Sequence, residues 1–318
     1  MAESINTPKK KFHFISSSWS DPGLNLSLEE YLLEHPAAVS GNLPVLLVYE
    51  NSEALVIGKN QNPWMEVSRE ALARGRPRLY RRISGGGSVY HGPGNLNFSF
   101  IVPQADFSKE GDLDLVRRAA LRLGLDLERT SRGDLLCRGR KVSGNALCYR
   151  RGRVLHHGTL LVDADLSALR SSLRGGEAAS DIETRAVASV PMSVANLAEF
   201  LPGLTVSRVA EALRREAESA YGECEAGDFL LDPALRAALE AGRLRHESRE
   251  WVFGGTPAFS CRIGDTRLFV ENGRIIRGEE TGGGLFDTAL IDSIFDLNMY
   301  EEERHGHAEH VSQARQDS

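Results

Sequence analysis

The sequence predicts an α+β fold, and three observations support this prediction. Strand-like apolar runs occur in groups of two or three, separated by turns rich in Gly and Asn. Helical periodicity appears between these groups rather than after every strand. The resulting order, αββα–ββ–α–βββ–α–α, indicates antiparallel hairpins with interspersed helices and not strict βαβ alternation. We therefore expect a mixed sheet with helices, followed by a small α+β unit at the C-terminal end.

The composition restricts the classes of function. A chain of 318 residues with 41% hydrophobic residues can bury one large core, or a large core and a small one. The net charge of −6 argues against a general nucleic-acid-binding protein, because such proteins need clustered Lys and Arg. The sequence contains no apolar stretch typical of a secretory signal or a membrane span. We expect a cytoplasmic protein with neither nucleic acid nor a membrane as partner.

The cysteines indicate neither a zinc site nor a disulfide framework. The sequence has four cysteines, and they lie far apart at Cys137, Cys148, Cys224 and Cys261. They form no CxxC pair and have no histidine at zinc-finger spacing. Reduced thiols are therefore expected.

Two helices are predicted in the first 80 residues. The first covers residues 25–33, with Asn25 or Ser27 as N-cap and leucines at helical spacing. The second is polar, begins at Pro63 and ends at Gly75.

Strand-like segments alternate with these helices. The apolar runs 43–50 and 54–58 are separated by the turn-forming Asn51 and Ser52, which predicts a hairpin with one buried face. Residues 79–102 comprise two strand-like segments around a glycine triplet and a Gly-Pro-Gly turn.

The second half of the chain begins with a strong helix at 112–130. Three short strands follow within 134–163, joined by Gly and Asn turns, and two further helices are predicted at 167–173 and 206–222.

A change of composition near residues 231–250 predicts a charged helical connector into a second unit. This unit begins at Trp251 and contains an Asn272-Gly273 hairpin signal and a helix at 285–297. The predicted organisation is a catalytic domain at 1–245, a small accessory domain at 246–300 and a disordered tail at 301–318.

The glycine-rich segment SGGGSV, residues 84–89, is the most unusual part of the sequence. Three consecutive glycines allow close approach of a ligand and can direct several N–H groups at an anion. Arg81 and Arg82 precede them and could add bidentate contacts to phosphate or carboxylate. A flexible hairpin tip explains the glycines equally well, and the segment has neither a Walker nor a Rossmann spacing.

Two further segments carry candidate chemistry. GRKVSGNA, residues 139–146, places Lys141 at a turn between strands, where it could stabilise charge that develops during acyl transfer; a surface lysine is the alternative. HHGTLL, residues 156–161, places two histidines before an apolar strand, and one of them must face away from the other.

Six segments together resemble, in order and spacing, the motifs of lipoate–protein ligases. They are GKNQNPWMEV, RRISGGGSVYHGPGNLNFSF, RGDLLCRGRKVSGNA, HHGTLLVDADLSAL, SVPMSVANLAEFLPG and WVFGGTPAFS. The resemblance extends over roughly residues 25–278. It implies the biotin/lipoyl protein ligase-like fold, related to class II synthetases, with a small accessory domain.

The resemblance also implies a two-step reaction. Lipoate attacks the α-phosphate of ATP to give lipoyl-adenylate and pyrophosphate, and a lysine of a lipoyl-domain acceptor then takes the acyl group. The implied acceptors are dehydrogenase E2 subunits and glycine-cleavage H protein. ATP and Mg²⁺ are the implied co-substrate and metal, lipoate or octanoate is the acyl substrate, no tightly bound prosthetic group is expected, and a monomer is expected.

The motifs assign the site residues by position. Lys141 would contact the lipoate carboxyl oxygen and the α-phosphate, and Asp134 would bind Mg²⁺. The residues implied to bind ATP or lipoyl-adenylate are Arg82, Ser84, Gly85, Gly86, Gly87, Ser88, Val89, Tyr90, His91, Asn95, Lys141, Ser143, Gly144, His157, Gly158 and Thr159. Leu24, Val56 and Trp64 are candidates for burying the lipoyl chain.

The sequence departs from the family pattern at two positions. Gly92 follows His91 where the family commonly has an aspartate, and Gly133 stands where the family often has an asparagine, in RGD instead of RND. Both departures put individual ligand contacts in doubt and leave the charged residues in place.

Three other functions remain as alternatives. A cysteine-dependent octanoyltransferase, using an acyl-carrier or acyl-protein donor, would need a thiolate such as Cys137. A biotin ligase would show an arginine-rich GRGRxxR loop, which GGGSVYH is not. A non-catalytic lipoyl-domain-binding protein would not need Arg82, Lys141 and Asp134.

Overall fold

The computed structural model describes residues 11–36, 42–174, 181–225, 233–280 and 286–296. Within these ranges the strands are β1 (Lys11–Ser16), β2 (Val45–Glu50), β3 (Ala54–Ile57), β4 (Arg78–Arg81), β5 (Val89–His91), β6 (Asn95–Pro103), β7 (Glu128–Arg129), β8 (Leu135–Cys137), β9 (Arg140–Ser143), β10 (Asn145–Arg150), β11 (Arg153–Leu161), β12 (Ile182–Thr184), β13 (Glu223–Glu225), β14 (Phe259–Ile263), β15 (Thr266–Glu271) and β16 (Arg274–Glu280). The helices are α1 (Pro22–Glu34), α2 (Pro63–Glu66), α3 (Arg69–Arg74), α4 (Lys109–Arg122), α5 (Leu166–Ser172), α6 (Val206–Tyr221), α7 (Pro233–Glu247) and α8 (Arg249–Val252).

The largest sheet has six strands in the order β10-β11-β6-β2-β1-β13. Strand β6 is antiparallel to β11 and β2, whereas β1 is parallel to β2 and β13. Parallel and antiparallel pairs thus share one sheet, and helices separate groups of strands along the chain. The predicted α+β class is confirmed.

Helices cover both faces of this sheet. Successive strand residues point to opposite faces, so Leu46 and Val48 of β2 pack with α4 and α6, whereas Leu47 and Tyr49 pack with α1 and α7. Burial of each such side chain contributes roughly 1.5–3 kcal/mol relative to its exposure. The uninterrupted apolar run of β2 follows from this burial on both faces.

Helix α1 begins earlier than the sequence predicts. Asp21 is the N-cap, its Oδ1 accepting a hydrogen bond from the Leu24 amide at 2.9 Å, and Pro22 is the first helical residue. Asn25 and Ser27, predicted as caps, are buried inside the helix. Asn25 instead uses its side chain for contacts with distant segments, which residue type alone does not reveal.

The predicted hairpin between residues 43–50 and 54–58 is wrong. Strand β3 belongs to a separate three-stranded sheet, β4-β3-β5, in which it is parallel to β4 and antiparallel to β5. Both runs are buried apolar strands, and this pattern specifies burial but not a pairing partner. Asn51, between them, is buried and hydrogen-bonded, and the chain there passes from one sheet to the other.

Two other predicted elements are subdivided. The helix expected from Pro63 to Gly75 is interrupted, because Ser68 caps a new helix, α3, which ends at Gly75 in the left-handed conformation. The region 134–163 contains four strands rather than three. Arg138 and Gly139, with φ of 48° and 77°, form a tight turn between β8 and β9 that adds the extra hairpin.

A four-stranded sheet, β12-β14-β15-β16, forms the C-terminal unit. Asn272 and Gly273, with φ of 50° and 70°, make the predicted turn between β15 and β16. The edge strand β12 comes from before α6, so an earlier part of the chain completes this sheet. Helix α7 runs through residue 245. The division into 1–245 and 246–300 stays a prediction.

The helix predicted at 285–297 is wrong for the residues that are described there. The helical part of residues 286–296 is a 3-10 turn, Thr288–Leu290, capped by Asp287, and Ile294 forms an isolated β-bridge with Arg274. Phe295 is fully buried while Ile291 and Ile294 are exposed, so the apolar residues do not share one helical face. The predicted tail at 301–318 lies outside the described residues. Among the described helices, none has the length and apolar character to cross a bilayer.

Candidate active site

Two adjoining cavities contain most of the predicted site residues. The inner cavity, of about 320 Å³, is lined by residues of the six-stranded sheet and of the β4-β3-β5 sheet. The outer cavity, of about 990 Å³, is lined by α2, α3, α5 and residues 188–194. The two cavities meet at eight residues that line both of them: Ser88, Val89, Lys141, Gly144, Thr159, Ala188, Ser189 and Val190. These volumes are in the range of ligand-binding pockets.

Most of the predicted binding residues line a cavity, and the others lie beside residues that do. All of them except Ser84, Gly85 and Asn95 line one of the two cavities, and Asp134 lines the inner one. Asn95 is fully buried at the start of β6 and donates from Nδ2 to Oδ1 of Asn97, a residue that does line the inner cavity.

Arg82 holds the glycine-rich segment in place. Its Nη2 donates to the carbonyl oxygens of Gly85 at 2.5 Å and Gly87 at 2.7 Å, and its Nη1 donates to that of Val56 at 3.2 Å. Its Nε donates to the Ser84 hydroxyl at 3.0 Å. Burial lowers the pKa of the guanidinium to about 10, which leaves it charged near neutral pH. Arg82 therefore stabilises the backbone of the glycine-rich segment, and a contact between Arg82 and the nucleotide stays a prediction.

Glu66 connects residues 187–190 to the glycine-rich segment by hydrogen bonds, and residues 187–190 line the inner cavity. Its carboxylate accepts hydrogen bonds from the Ser88 hydroxyl at 2.9 Å and from the Ser189 amide at 3.1 Å, and it also contacts the Ser189 hydroxyl. The Ser88 amide in turn donates to Ser189 Oγ at 2.9 Å. The sequence assigns Glu66 and Ser189 no role, because their contact joins residues 123 positions apart.

Lys141 lies where the two cavities meet. Its Nζ is 2.6 Å from Oδ1 of Asp134, and the two side chains are 26% and 15% exposed. The Lys141 amide donates to the Ser193 carbonyl at 2.9 Å, and its carbonyl accepts from the Ala195 amide at 3.0 Å. These bonds fix the backbone of Lys141, so the ammonium group is held at the edge of both cavities. Nearby, the buried Ser143 hydroxyl has no hydrogen-bond partner among the described residues.

A buried carboxylate organises the inner cavity. Glu29 accepts hydrogen bonds from Tyr49 Oη at 2.9 Å and from His157 Nδ1 at 2.8 Å, and it also contacts the Ser99 hydroxyl. Burial alone would raise the pKa of Glu29, but the charge of His157 and these hydrogen bonds lower it below its ordinary value. Nε2 of His157 lies 2.6 Å from Ser84 Oγ, which connects Glu29 to the glycine-rich segment.

His91 is neutral in this site. Burial, together with the nearby positive charge of Arg82, lowers its pKa to about 3. Its Nδ1 lies 2.9 Å from Nδ2 of Asn51, and its ring lines the inner cavity.

A magnesium ion fits this site only together with phosphate oxygens. Among the described residues, no group of three or more His, Cys, Asp and Glu side chains could hold a metal ion. Mg²⁺ that accompanies ATP usually needs one or two carboxylates, with phosphates and water completing its octahedron. Asp134, beside Lys141 in the inner cavity, can supply one such oxygen ligand.

Cys137 and two of the three candidates for burying an acyl chain lie away from both cavities. Cys137 is buried in the core between the large sheet, α4 and α6, and burial raises the pKa of its thiol. Leu24 packs against the core between the large sheet, α1 and α7. Trp64 packs in the C-terminal unit against Phe253, Phe259 and Phe295. Val56 does line the inner cavity, and it is therefore the candidate that can contact an acyl chain there.

Residues 21–218 match the model of the lipoyl protein ligase A/B catalytic domain, which is more than half of the chain. The chain belongs to this family. All of the cavity-lining residues discussed above lie inside the matched range, and so the predicted family resemblance is confirmed.

Solved structures of lipoyl protein ligases have the same fold. LipL1 of P. falciparum in complex with lipoate superposes with a TM-score of 0.65 at 23% identity, covering 84% of this chain and 83% of that one. The bi-partite lipoate protein ligase of Thermoplasma acidophilum gives 0.60 at 22% identity, covering 77% and 96%. A lipoate-protein ligase A bound with ATP gives 0.62 at 22% identity, covering 77% and 99%. At these identities the likeness establishes the fold, which is the lipoate-ligase-like α+β fold predicted from the motifs.

Proposed function

We propose that this protein is an ATP-dependent lipoate–protein ligase that forms lipoyl-adenylate and transfers the lipoyl group to a lysine of a lipoyl-domain acceptor. The observation that carries the proposal is the position of Lys141. Its ammonium group lies where the inner and outer cavities meet, paired with Asp134. Two anionic substrates bound in separate cavities would have their reacting ends at this cation.

The two cavities suit two different ligands. The inner cavity is lined by the apolar side chains of Leu26, Val56, Val89 and Ala146, which suit an acyl chain. The outer cavity is about three times larger, which suits the bulkier nucleotide, and Lys141 lies at its border with the inner cavity. We assign the acyl chain to the inner cavity and the nucleotide to the outer one.

In the first step, a carboxylate oxygen of lipoate forms a bond to the α-phosphorus of ATP. The bridging P–O bond to the β-phosphate breaks, and pyrophosphate leaves with the electron pair. In the second step, the neutral amine of the acceptor lysine attacks the acyl carbon. The bond from acyl carbon to AMP breaks, AMP leaves, and the amide nitrogen loses a proton.

Lys141 lowers the electrostatic cost of the first step. Carboxylate and phosphate approaching to ~4 Å repel one another by about 4 kcal/mol at an effective dielectric constant near 20. A fixed ammonium group between them offsets most of this repulsion and also stabilises the charge that develops in the transition state. Asp134 would hold Mg²⁺ with the phosphates, which supplies further positive charge when bound.

The proposed partners are the acceptors of this family. One solved structure with this fold is described together with its E2 lipoyl domain. We propose E2 lipoyl domains and H protein as acceptors, with the chain acting as a cytoplasmic monomer.

The structure gives the transferase alternative little support. A cysteine-dependent acyl transfer needs an accessible thiolate. The buried Cys137, with its raised pKa, is neither accessible nor ionised near neutral pH.

The proposal is tested by acyl transfer to a purified apo-lipoyl domain, followed by intact-protein mass spectrometry. Modification should require lipoate, ATP and Mg²⁺ together, and Cys137→Ala should behave like the wild type. Modification that proceeds from octanoyl carrier protein without ATP, and that Cys137→Ala abolishes, would instead establish the transferase. Binding of the lipoyl domain without any modification would indicate a non-catalytic protein.

A further inference from the structure

The inner cavity has two chemically different ends, and strand register separates them. Thr159, Asn97 and Tyr49 are direct cross-strand partners on β11, β6 and β2. Two strand spacings place Thr159 and Tyr49 about 10 Å apart. The Thr159 amide donates to the Gly144 carbonyl at 3.0 Å, so Lys141 and its turn lie at the Thr159 end. An extended eight-carbon acid with its carboxylate at Lys141 therefore has its far end near Tyr49.

His91 lies at this far end. It is hydrogen-bonded to Asn51, which follows Tyr49 by two residues, and both the Tyr49 and His91 rings line the cavity. A plain hydrocarbon terminus at this end would offer the polar ring of His91 no hydrogen-bond partner.

A directional chain of hydrogen bonds determines which nitrogen of His91 carries the proton. Ser17 Oγ donates to Asn25 Oδ1 at 2.8 Å. Asn25 Nδ2 then donates both to the Trp19 carbonyl and to Asn51 Oδ1, each at 2.8 Å. These contacts orient the Asn51 amide so that its Nδ2 donates to Nδ1 of His91 at 2.9 Å.

The consequence is a fixed donor that faces the cavity. A neutral imidazole that accepts at Nδ1 carries its proton on Nε2. Among the described residues, Nε2 of His91 has no hydrogen-bond partner, and the ring reaches the cavity. Nε2–H of His91 is thus a donor available to whatever occupies the far end of the cavity.

We propose that His91, oriented by Asn51, is the residue by which this chain distinguishes a cyclic disulfide from a hydrocarbon at the end of the acyl chain. This inference rests on the proposed function and names the determinant of acyl specificity within it. A dithiolane sulfur accepts weakly from Nε2–H and, being polarisable, packs well against the Tyr49 and His91 rings. The methyl end of octanoate leaves the N–H unpaired, and a site built around a donor discriminates against a ligand without an acceptor.

The test compares lipoate with octanoate in the full chain. The ratio of kcat/KM for the two acids, measured by pyrophosphate release, should favour lipoate by about tenfold in the wild type. His91→Leu keeps the volume and removes the donor, so the ratio should fall close to one. His91→Gln retains an N–H near the same position and should restore most of the preference. Each ratio comes from one protein sample, so it does not depend on the folded fraction.

A second measurement on the wild type does not depend on any variant or on turnover. Long-range ¹H–¹⁵N spectra near pH 7 should show the His91 proton on Nε2, and this resonance should shift with lipoate and not with octanoate. A proton on Nδ1, equal shifts with both acids, or an unchanged ratio in His91→Leu would overturn the inference while leaving ligase activity intact. Binding of lipoate at His91 without adenylate formation would instead refute the proposed function alone.

Discussion

Replacement of Gly58 by alanine tests how tightly the glycine-rich segment is packed against the loop before α2. A Cβ atom at residue 58 would lie 2.2 Å from the carbonyl oxygen of Gly86 and 3.1 Å from that of Gly85. Both are backbone atoms, so no side-chain rotation can relieve the clash. The segment must move by roughly an ångström to restore an ordinary contact.

Arg82 makes this movement costly. Its Nη2 donates to the carbonyl oxygens of Gly85 and Gly87, and a shift of the segment weakens these bonds. Overpacking costs about 1–3 kcal/mol, and a hydrogen bond to a charged donor contributes about 1.5–3 kcal/mol. Gly58→Ala should therefore lower the free energy of unfolding by about 2–4 kcal/mol and raise the KM for lipoate, because Gly86 and Gly87 line the inner cavity.

Gly85→Ala is the matched control within the same segment. A Cβ atom at Gly85 meets no heavy atom within 4 Å, so its free energy of unfolding should change by less than about 0.5 kcal/mol. Urea unfolding of both variants, followed by fluorescence, measures the difference. Equal losses in the two variants, or none in Gly58→Ala, would refute the packing argument.

Three further predictions follow from charges in the site. Lys141→Ala should reduce adenylation by at least about 100-fold with an unchanged urea midpoint; near-normal turnover would show that the site is misplaced. Glu29→Gln should destabilise the fold by about 2–4 kcal/mol, because one of the two acceptor oxygens becomes an NH₂ donor that faces other donors and the charge beside His157 is lost. Glu110→Gln is the control, because Glu110 is exposed, and it should lower the free energy of unfolding by less than about 0.5 kcal/mol. If urea unfolding showed similar losses of stability in Glu29→Gln and Glu110→Gln, the role of Glu29 would be contradicted. The pKa of His91 is about 3 in the fold, below its value of ~6.5 in the unfolded chain, so this histidine contributes stability above pH ~6.5 that is lost as the pH falls toward 3. Urea unfolding at neutral and acidic pH should show that acidification destabilises His91→Gln less than it destabilises the wild type. An identical loss of stability in the two proteins would contradict the lowered pKa of His91.

The sequence predicts the positions of helices and strands better than it predicts which strands pair and which elements pack together. Helix α6 is found where periodicity places it, because one of its faces must be buried. The helix predicted at 112–130 is α4, but it ends at Arg122: Gly124, with φ of 90°, follows the helix end, and residues 128–129 form β7. Strand β3 is also found, but its pairing with β4 and β5 is not predictable from an apolar run that is buried on both sides. The 3-10 turn at Thr288–Leu290 replaces a predicted helix for a related reason, since Phe295 is buried by contact with distant aromatic residues.

The same limit applies to the residues of the site: local motifs identify some of them, and long-range contacts determine the others. Lys141 and the glycine-rich segment are identifiable because their residue types suit anion chemistry and because their motifs lie in family order. The roles of Glu29, Asn51 and Glu66 depend on contacts between segments far apart in the chain. No local pattern reports such contacts. Arg82 illustrates the limit most clearly, because a residue type typical of phosphate binding here binds three backbone carbonyls.

The most direct test of the central claim is the detection of lipoyl-adenylate on the purified protein. The chain is incubated with lipoate, ATP and Mg²⁺ in the absence of an acceptor, and the bound small molecules are identified by mass spectrometry alongside released pyrophosphate. We predict lipoyl-adenylate and pyrophosphate in equal amounts from the wild type, and at least about 100-fold slower formation of both by Lys141→Ala. A folded wild-type protein that binds both substrates and forms no adenylate would contradict the account.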